Sequence, residues 1–190
     1  MMKFPRVGEV NTRMIPDIGA EQATLVHQKM AEDTIAKVND FGNAKAIVHI
    51  TNCTDEEASQ WMGAVEYYFQ EGDDLGERMA NAVERSIGLG ADKILVVGTD
   101  CPSLVVEVFE EALNLLDSND VVYTPAHDGG YVLIGMKHLY KAAFHNIQWG
   151  TEKVLDQSLK NLRASELSFH LLDSMQDIDY AQDIPRHFLI

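Results

Sequence analysis

Asp100 stands in Val-Val-Gly-Thr-Asp-Cys-Pro, directly after the apolar run Ile94 to Val97, which places its carboxylate at the C-terminal end of an expected buried strand. Open α/β sheets keep their ligands at that end. A second acidic turn, Asp128-Gly-Gly-Tyr131, follows another strand-like run, Asp120 to Thr124, through Pro125-Ala-His. Hard oxygen donors of this kind suit Mg²⁺ or Mn²⁺, which take one or two protein carboxylates together with substrate phosphates. Asp100 has a structural alternative, capping a helix that would start near Pro102. Asp128 could ligate the same metal, orient an acceptor hydroxyl or act as its base, with Gly129 and Gly130 letting the backbone approach a ligand. Its alternative is an ordinary hairpin turn. Near the end of the chain, Asp177 and Asp179 point the same way only if the backbone between them is extended. Asp179 is therefore a third metal candidate, or else the cap of a helix over 180–186. Cys101 has neither a base partner nor a low-pKa setting in view and reads as a small buried residue. The seven histidines show no Glu-x-x-His or His-x-x-x-His spacing, and His127, beside the second turn, receives no role.

The elements that must carry these residues alternate. Residues 19–38 have a helical apolar spacing, and Ala44 to Thr51 is a short β-branched run. Thr54-Asp-Glu-Glu57 has the spacing of a capping box. An aromatic extended stretch, Val65 to Phe69, precedes a helix opened by Asp74 and ended by Gly88 and Gly90. The strand Ile94 to Val97 comes next. A helix is then expected from Pro102-Ser103, with its apolar positions running from Leu104 to Leu116. Tyr131 to Met136 reads as a strand, Thr151 as the N-cap of a helix reaching about Leu162, and Leu167 to Leu172 as a late strand. This order argues for a largely parallel sheet covered on both faces, with right-handed crossovers, rather than for β-hairpins.

At 190 residues, one domain covering 1–190 is expected. A formal net charge of −15 disfavours nucleic acid and anionic membrane surfaces as partners. A nucleotide ligand would need that charge offset locally by a divalent cation, by arginines or by helix N-termini. The two cysteines form no Cys-x-x-Cys pair, so neither a disulfide framework nor a zinc site is signalled, and a cytoplasmic location is expected. No export signal is visible, and no apolar run reaches the roughly 18 residues of a membrane span.

Four stretches together resemble the nucleotide-diphospho-sugar transferase superfamily, the GT-A fold. Within it, the resemblance is to the small bacterial glycosyltransferase-like group related to molybdenum-cofactor and phospholactate guanylyltransferases. The stretches are Lys3 to Met14, Gly98-Thr-Asp-Cys-Pro-Ser-Leu104, Pro125 to Tyr131 with Leu133-Ile-Gly135, and Asp177 to Asp183, with Trp149-Gly-Thr151 as weaker support. The resemblance runs nearly end to end. It implies a three-layer αβα sandwich with a mostly parallel mixed sheet, Rossmann-like in character. It further implies a first loop, with Gly8, Thr12 and Arg13, around the nucleotide phosphates, and a divalent cation on Asp100; on residue type alone, Arg13 reads equally as half of a surface ion pair. The Asp128-Gly129-Gly130 turn would face the second substrate. Two departures stand out: Asn11 occupies a position where the family usually has Lys, and only Met1 to Phe4 precede Pro5, so the first strand is truncated.

The activity expected is transfer of a glycosyl or nucleotidyl group from a nucleoside phosphate donor to a small acceptor. Mg²⁺ or Mn²⁺ would be held by Asp100, with Asp128 and Asp179 as further ligands. Such transfer relies on positioning and charge stabilisation, in keeping with the absence of a catalytic triad motif. The alternative is a nucleotide or phospho-ligand binding protein without turnover. A dinucleotide-dependent oxidoreductase is disfavoured, because no Gly-x-Gly-x-x-Gly follows an early strand. A homodimer is compatible with the sequence.

Overall fold

The computed structural model describes residues 1–188. The chain is α/β and divides into two compact units. One comprises Met1–Phe69, Thr99–Val106 and the stretch from Asp177 onward; the other comprises Gln70–Gly98 and Glu107–Gln176. No described helix is long and apolar enough to cross a membrane.

In the first unit, β1 (Met2–Lys3), β2 (Ile47–Thr51) and β3 (Glu66–Phe69) form a parallel three-stranded sheet in the order β1-β2-β3. The short β1 pairs Met2 with Ile50 and Lys3 with Thr51. After it come a loop, the single-turn helix α1 (Ile15–Ile18) and the long helix α2 (Ala20–Phe41), which ends at Gly42 in the left-handed region. Helix α2 buries two sides. Ala23, Val26 and Met30 cluster with Met14, Ile178, Ile184 and Phe188. Ala31 packs instead with Met2, Val48, Ile50, Ala58 and Met62, where α3 (Asp55–Met62) also meets the sheet.

The expected capping box opens α3. Thr54 Oγ1 accepts from the Glu57 N–H at 3.2 Å, and Glu57 Oε2 accepts from the Thr54 N–H at 2.8 Å. Thr54→Ala removes one half of this reciprocal pair and is expected to cost about 1 kcal/mol, or roughly 2–4 °C in Tm, read by thermal denaturation. An unchanged Tm would mean that solvent satisfies the α3 N-terminus equally well.

In the second unit, α4 (Leu75–Gly88) is capped by Asp74, which accepts from Glu77, and is followed by β4 (Ile94–Val97). Helix α5 (Val106–Leu115), β5 (Val121–Pro125), β6 (Tyr131–Met136), α6 (Val154–Ala164) and β7 (Phe169–Leu171) complete it. The sheet order is β4-β6-β5-β7. Strand β6 runs antiparallel to both β4 and β5, while β5 and β7 are parallel. The expectation of crossovers without hairpins is thus corrected at one place: β5 and β6 are joined by a hairpin carrying the Asp128 turn. Fully buried Tyr123, Leu133, Ile134 and Met136 form its interior. Tyr123 Oη lies 2.6 Å from Ser158 Oγ, which donates to the Ala143 carbonyl, tying β5 to α6 through a satisfied buried network.

Several boundaries differ from the sequence reading. Helix α5 begins at Val106, not at Pro102. The Leu104 N–H is taken by the Cys101 carbonyl, and the Lys37 ammonium donates to the Pro102 carbonyl at 2.6 Å, so this stretch is a tethered loop. Lys153, not Thr151, is the N-cap of α6; Thr151 Oγ1 instead donates to the Gln148 carbonyl within the preceding turn. The expected helix over 180–186 is two short 3₁₀ turns, Ala181–Asp183 and Arg186–Phe188.

Candidate active site

In the first unit, the loop between β1 and α1 alternates exposed and buried positions. Val10 and Met14 are buried, which leaves Gly8, Thr12 and Arg13 at the surface. Gly8 has φ +83° with open space where a Cβ would stand. The loop is pinned at its base by Arg6. The Arg6 Nη2 lies 2.9 Å from both carboxylate oxygens of Glu57, and the guanidinium sits 5.5 Å from the Phe4 ring centroid. Asn11, at φ +46°, turns its amide Nδ2 into the protein, where it has no partner.

Asp100 lies three residues past the end of β4, on a loop held at several points. Its carbonyl accepts from the Ile178 N–H at 2.7 Å, and Lys37 holds Pro102. Lys37 is itself paired with Asp33 at 2.7 Å. Asp100 is exposed, yet the protein around its carboxylate withdraws enough water to push its pKa up. The Asp179 charge raises it further, opposed by His27 and by a hydrogen bond to its own backbone. The alternative in which Asp100 caps the next helix is not realised, since α5 starts well beyond it.

Asp179 is brought beside Asp100 because Ile178 is buried in the α2 cluster and its N–H is bound to the Asp100 carbonyl. With Ile178 directed inward, its neighbours Asp177 and Asp179 face the other way. Their carboxylate oxygens come within 4.8 Å of each other, as an extended i, i+2 pair requires. Asp179 does not cap the following 3₁₀ turn; Asp183 takes that role by accepting from the Tyr180 N–H. The Asp179 carboxylate instead accepts from Arg13 Nη1, whose guanidinium also faces the Tyr180 ring at 6.0 Å.

His27 is a member of this group that sequence reasoning missed. Its Nε2 lies 3.0 Å from the Lys3 carbonyl, an arrangement that places the proton on Nε2 in the neutral ring. Burial lowers its pKa, while Lys3 hydrogen bonding and the Asp100 charge act in the opposite direction. No local signal marks it, because it occupies an ordinary position of α2 and its electrostatic partner is remote in sequence.

In the second unit, Asp128 is exposed and its Oδ1 accepts from the Gly130 N–H at 2.8 Å, so the hairpin-turn reading is realised. The turn is fastened from outside. His127 donates to the Met175 carbonyl, and the Leu155 N–H, in the first turn of α6, donates to the Gly129 carbonyl at 3.0 Å. What comes close to Gly129 is protein: with φ +91°, its Cα faces the Glu152 backbone, and a Cβ there would stand 2.2 Å from the Glu152 oxygen. Trp149 lies against Gly76 of α4 and contacts Tyr131 edge to face at 6.5 Å. Asp100 and Asp179 are thus gathered with Arg13 in the first unit, and Asp128 with Gly129 and Gly130 in the second.

The chain has the nucleotide-diphospho-sugar transferase fold. A protein of Desulfovibrio desulfuricans G20, provisionally described as a nucleotide-diphospho-sugar transferase, superposes with a TM-score of 0.85 at 30% identity, over 94% of this chain and 79% of its own. Within that fold, the chain belongs to the family of uncharacterized proteins conserved in bacteria known as DUF2064, whose profile matches residues 34–151. That span includes Asp100 and the Asp128 turn but not the first loop or Asp179. Two more distant structures share the fold alone. One is 4-diphosphocytidyl-2C-methyl-D-erythritol synthase of Anaerococcus prevotii DSM 20548, with a TM-score of 0.62 at 11% identity, covering 96% of this chain and 92% of its own. The other is CMP:2-keto-3-deoxy-manno-octonic acid synthetase complexed with CTP, with a TM-score of 0.61 at 10% identity, covering 98% and 93%. No curated protein matches the sequence.

Proposed function

We propose that this chain is a transferase that moves a glycosyl or nucleotidyl group from a nucleoside phosphate donor to a small acceptor, with Mg²⁺ or Mn²⁺ as cofactor. The observation that carries this reading is the setting of Asp100. It is an exposed carboxylate past the end of β4 with a second one, Asp179, within electrostatic reach, and partial desolvation by the surrounding protein disfavours its charged form. Such a donor set has the hard oxygens that these cations take. Asp100 and Asp179 would hold the cation, which when bound offsets charge on the phosphates. Arg13 supplies a planar fork that matches phosphate oxygens. The surface amides around Gly8 and Thr12 are free of side-chain bulk at the glycine and would steady the same phosphates. On the other unit, Asp128 is the proposed acceptor-side carboxylate, held by a turn that uses its Oδ1. The similarity to a protein described as a nucleotide-diphospho-sugar transferase and to a CTP-bound synthetase supports this direction.

The test is calorimetric titration of the protein with nucleoside diphosphates, triphosphates and sugar nucleotides in the presence of Mn²⁺. It is paired with mass-spectrometric measurement of donor consumption across a panel of small acceptors. Micromolar to millimolar binding that requires the metal, with acceptor-dependent turnover, is expected. Binding without turnover on every acceptor would leave only the ligand-binding alternative, and no binding to any nucleotide would remove both.

A further inference from the structure

We infer that Asp179 is a built-in counter-ion for Arg13, so that the phosphate ligand of this site is recognised as its divalent-metal complex and not as the free anion. This rests on the reading of Arg13 as a phosphate ligand given above. Three features of the first unit carry it. Arg13 stands on the exposed part of the loop that would meet the phosphates, and its Nη1 is already occupied by the Asp179 carboxylate. Asp179 is not a floating surface acid, because its neighbour Ile178 is anchored twice, by its buried side chain and by its N–H on the Asp100 carbonyl at 2.7 Å. Two further carboxylates stand near it: Asp177 lies within 4.8 Å of Asp179 through carboxylate oxygens, and Asp100 is electrostatically coupled to it.

A free phosphate therefore has to displace a carboxylate from Arg13 and then sit among carboxylates. A cation arriving alone has to draw Asp179 away from Arg13 and leave the guanidinium without its partner. Arriving together, the two exchange partners: the carboxylate passes to the cation and the guanidinium to the phosphate, and no charge is stranded. The pair is half exposed, with 55% and 35% of the Arg13 and Asp179 side chains open to solvent, so its hold is modest. Exposed ion pairs of this kind bias an equilibrium by up to about fivefold. Asp179 thus acts in two opposite senses, against the free anion and in favour of the metal complex, which a residue that only ligated metal or only packed would not do.

Inorganic pyrophosphate is a probe independent of base and sugar. Its affinity is measured by calorimetry at low ionic strength, in EDTA and in Mg²⁺, for the parent, Asp179→Asn, Arg13→Met and the double variant. In EDTA, Asp179→Asn is expected to bind pyrophosphate about three- to fivefold more tightly than the parent, and in Mg²⁺ about tenfold more weakly. The gain in EDTA disappears in the Arg13→Met background. A gain of equal size in that background would show simple removal of a negative charge and overturn the counter-ion role, as would unchanged or weaker binding of Asp179→Asn in EDTA. If the parent binds magnesium pyrophosphate through Asp100 and the EDTA gain is absent, only this inference falls. If no variant binds pyrophosphate under either condition, the phosphate-site reading falls with it.

Discussion

Asp100→Asn should lower donor turnover by about three orders of magnitude, the scale on which removal of a group that stabilises developing charge is felt. It should also weaken magnesium-dependent nucleotide binding by at least about tenfold. The amide keeps the size of the carboxylate and loses its charge, so the loss reports on charge and not on shape. Stability is expected to move the other way. Desolvation by the surrounding protein and the Asp179 charge raise the Asp100 pKa above its ordinary 3.8, which means that the folded protein holds this proton more tightly than the unfolded chain does. Whatever Asp100 contributes is fully present below the ordinary carboxylate range and is lost as the pH climbs through the raised folded value. Asparagine imitates the protonated form. At neutral pH the variant should therefore melt at or above the parent temperature, and the difference should shrink as the pH is lowered toward 4. Denaturation scans at both pH values, run beside the turnover assay, check this. A variant that melts well below the parent at neutral pH would identify Asp100 as a structural group and remove the central support for the transferase reading.

Gly129→Ala is the second large effect, and it concerns stability. At φ +91° any Cβ is strained, and here it would also meet the backbone oxygen of Glu152 at 2.2 Å, where no flexible side chain can yield. A loss of about 3 kcal/mol is expected, which lowers the Tm by roughly 6–12 °C in a chain of this size. Relief of the clash requires the Asp128 turn and the start of α6 to move apart, breaking the Leu155 to Gly129 hydrogen bond. Gly130→Ala is the matched control, because its Cβ would stand 3.1 Å from the Asp128 carboxylate, a side chain that can shift. A cost below about 1 kcal/mol is expected there. Equal melting temperatures for the two variants would sink the argument that Gly129 is required by its contact with Glu152.

Much of the fold was legible in the chain because its signals are local. The apolar spacing of α2, the reciprocal groups of Thr54 and Glu57, and the Asp-Gly turn before β6 each need only a few neighbouring residues to act. The i, i+2 spacing of Asp177 and Asp179 put two carboxylates on one side only on condition of an extended backbone, a condition the fold supplies. Errors arose where distant groups took over local hydrogen bonds. Pro102-Ser103 has the look of a helix start, yet Lys37 from α2 claims the Pro102 carbonyl and the helix begins at Val106. At Thr151 the competitor is local: its hydroxyl donates to the Gln148 carbonyl and accepts from the Lys153 N–H, and α6 begins only after Lys153.

For the site, residue types and positions along the chain pointed to Asp100, Asp128 and Asp179 as chemistry-bearing groups, because acids after strands are recognisable without coordinates, whereas Arg13 was marked only by the family resemblance and its type alone favoured a surface ion pair, which it forms with Asp179. Folding added the partners. That Arg13 is neutralised by Asp179, that His27 stands within electrostatic reach of Asp100, and that the Gly129 backbone meets Glu152 rather than open space all depend on segments remote in sequence closing on one another. Composition and local spacing follow from covalent order, whereas ion pairing and steric contact fall off within a few ångströms and exist only after the chain has collapsed.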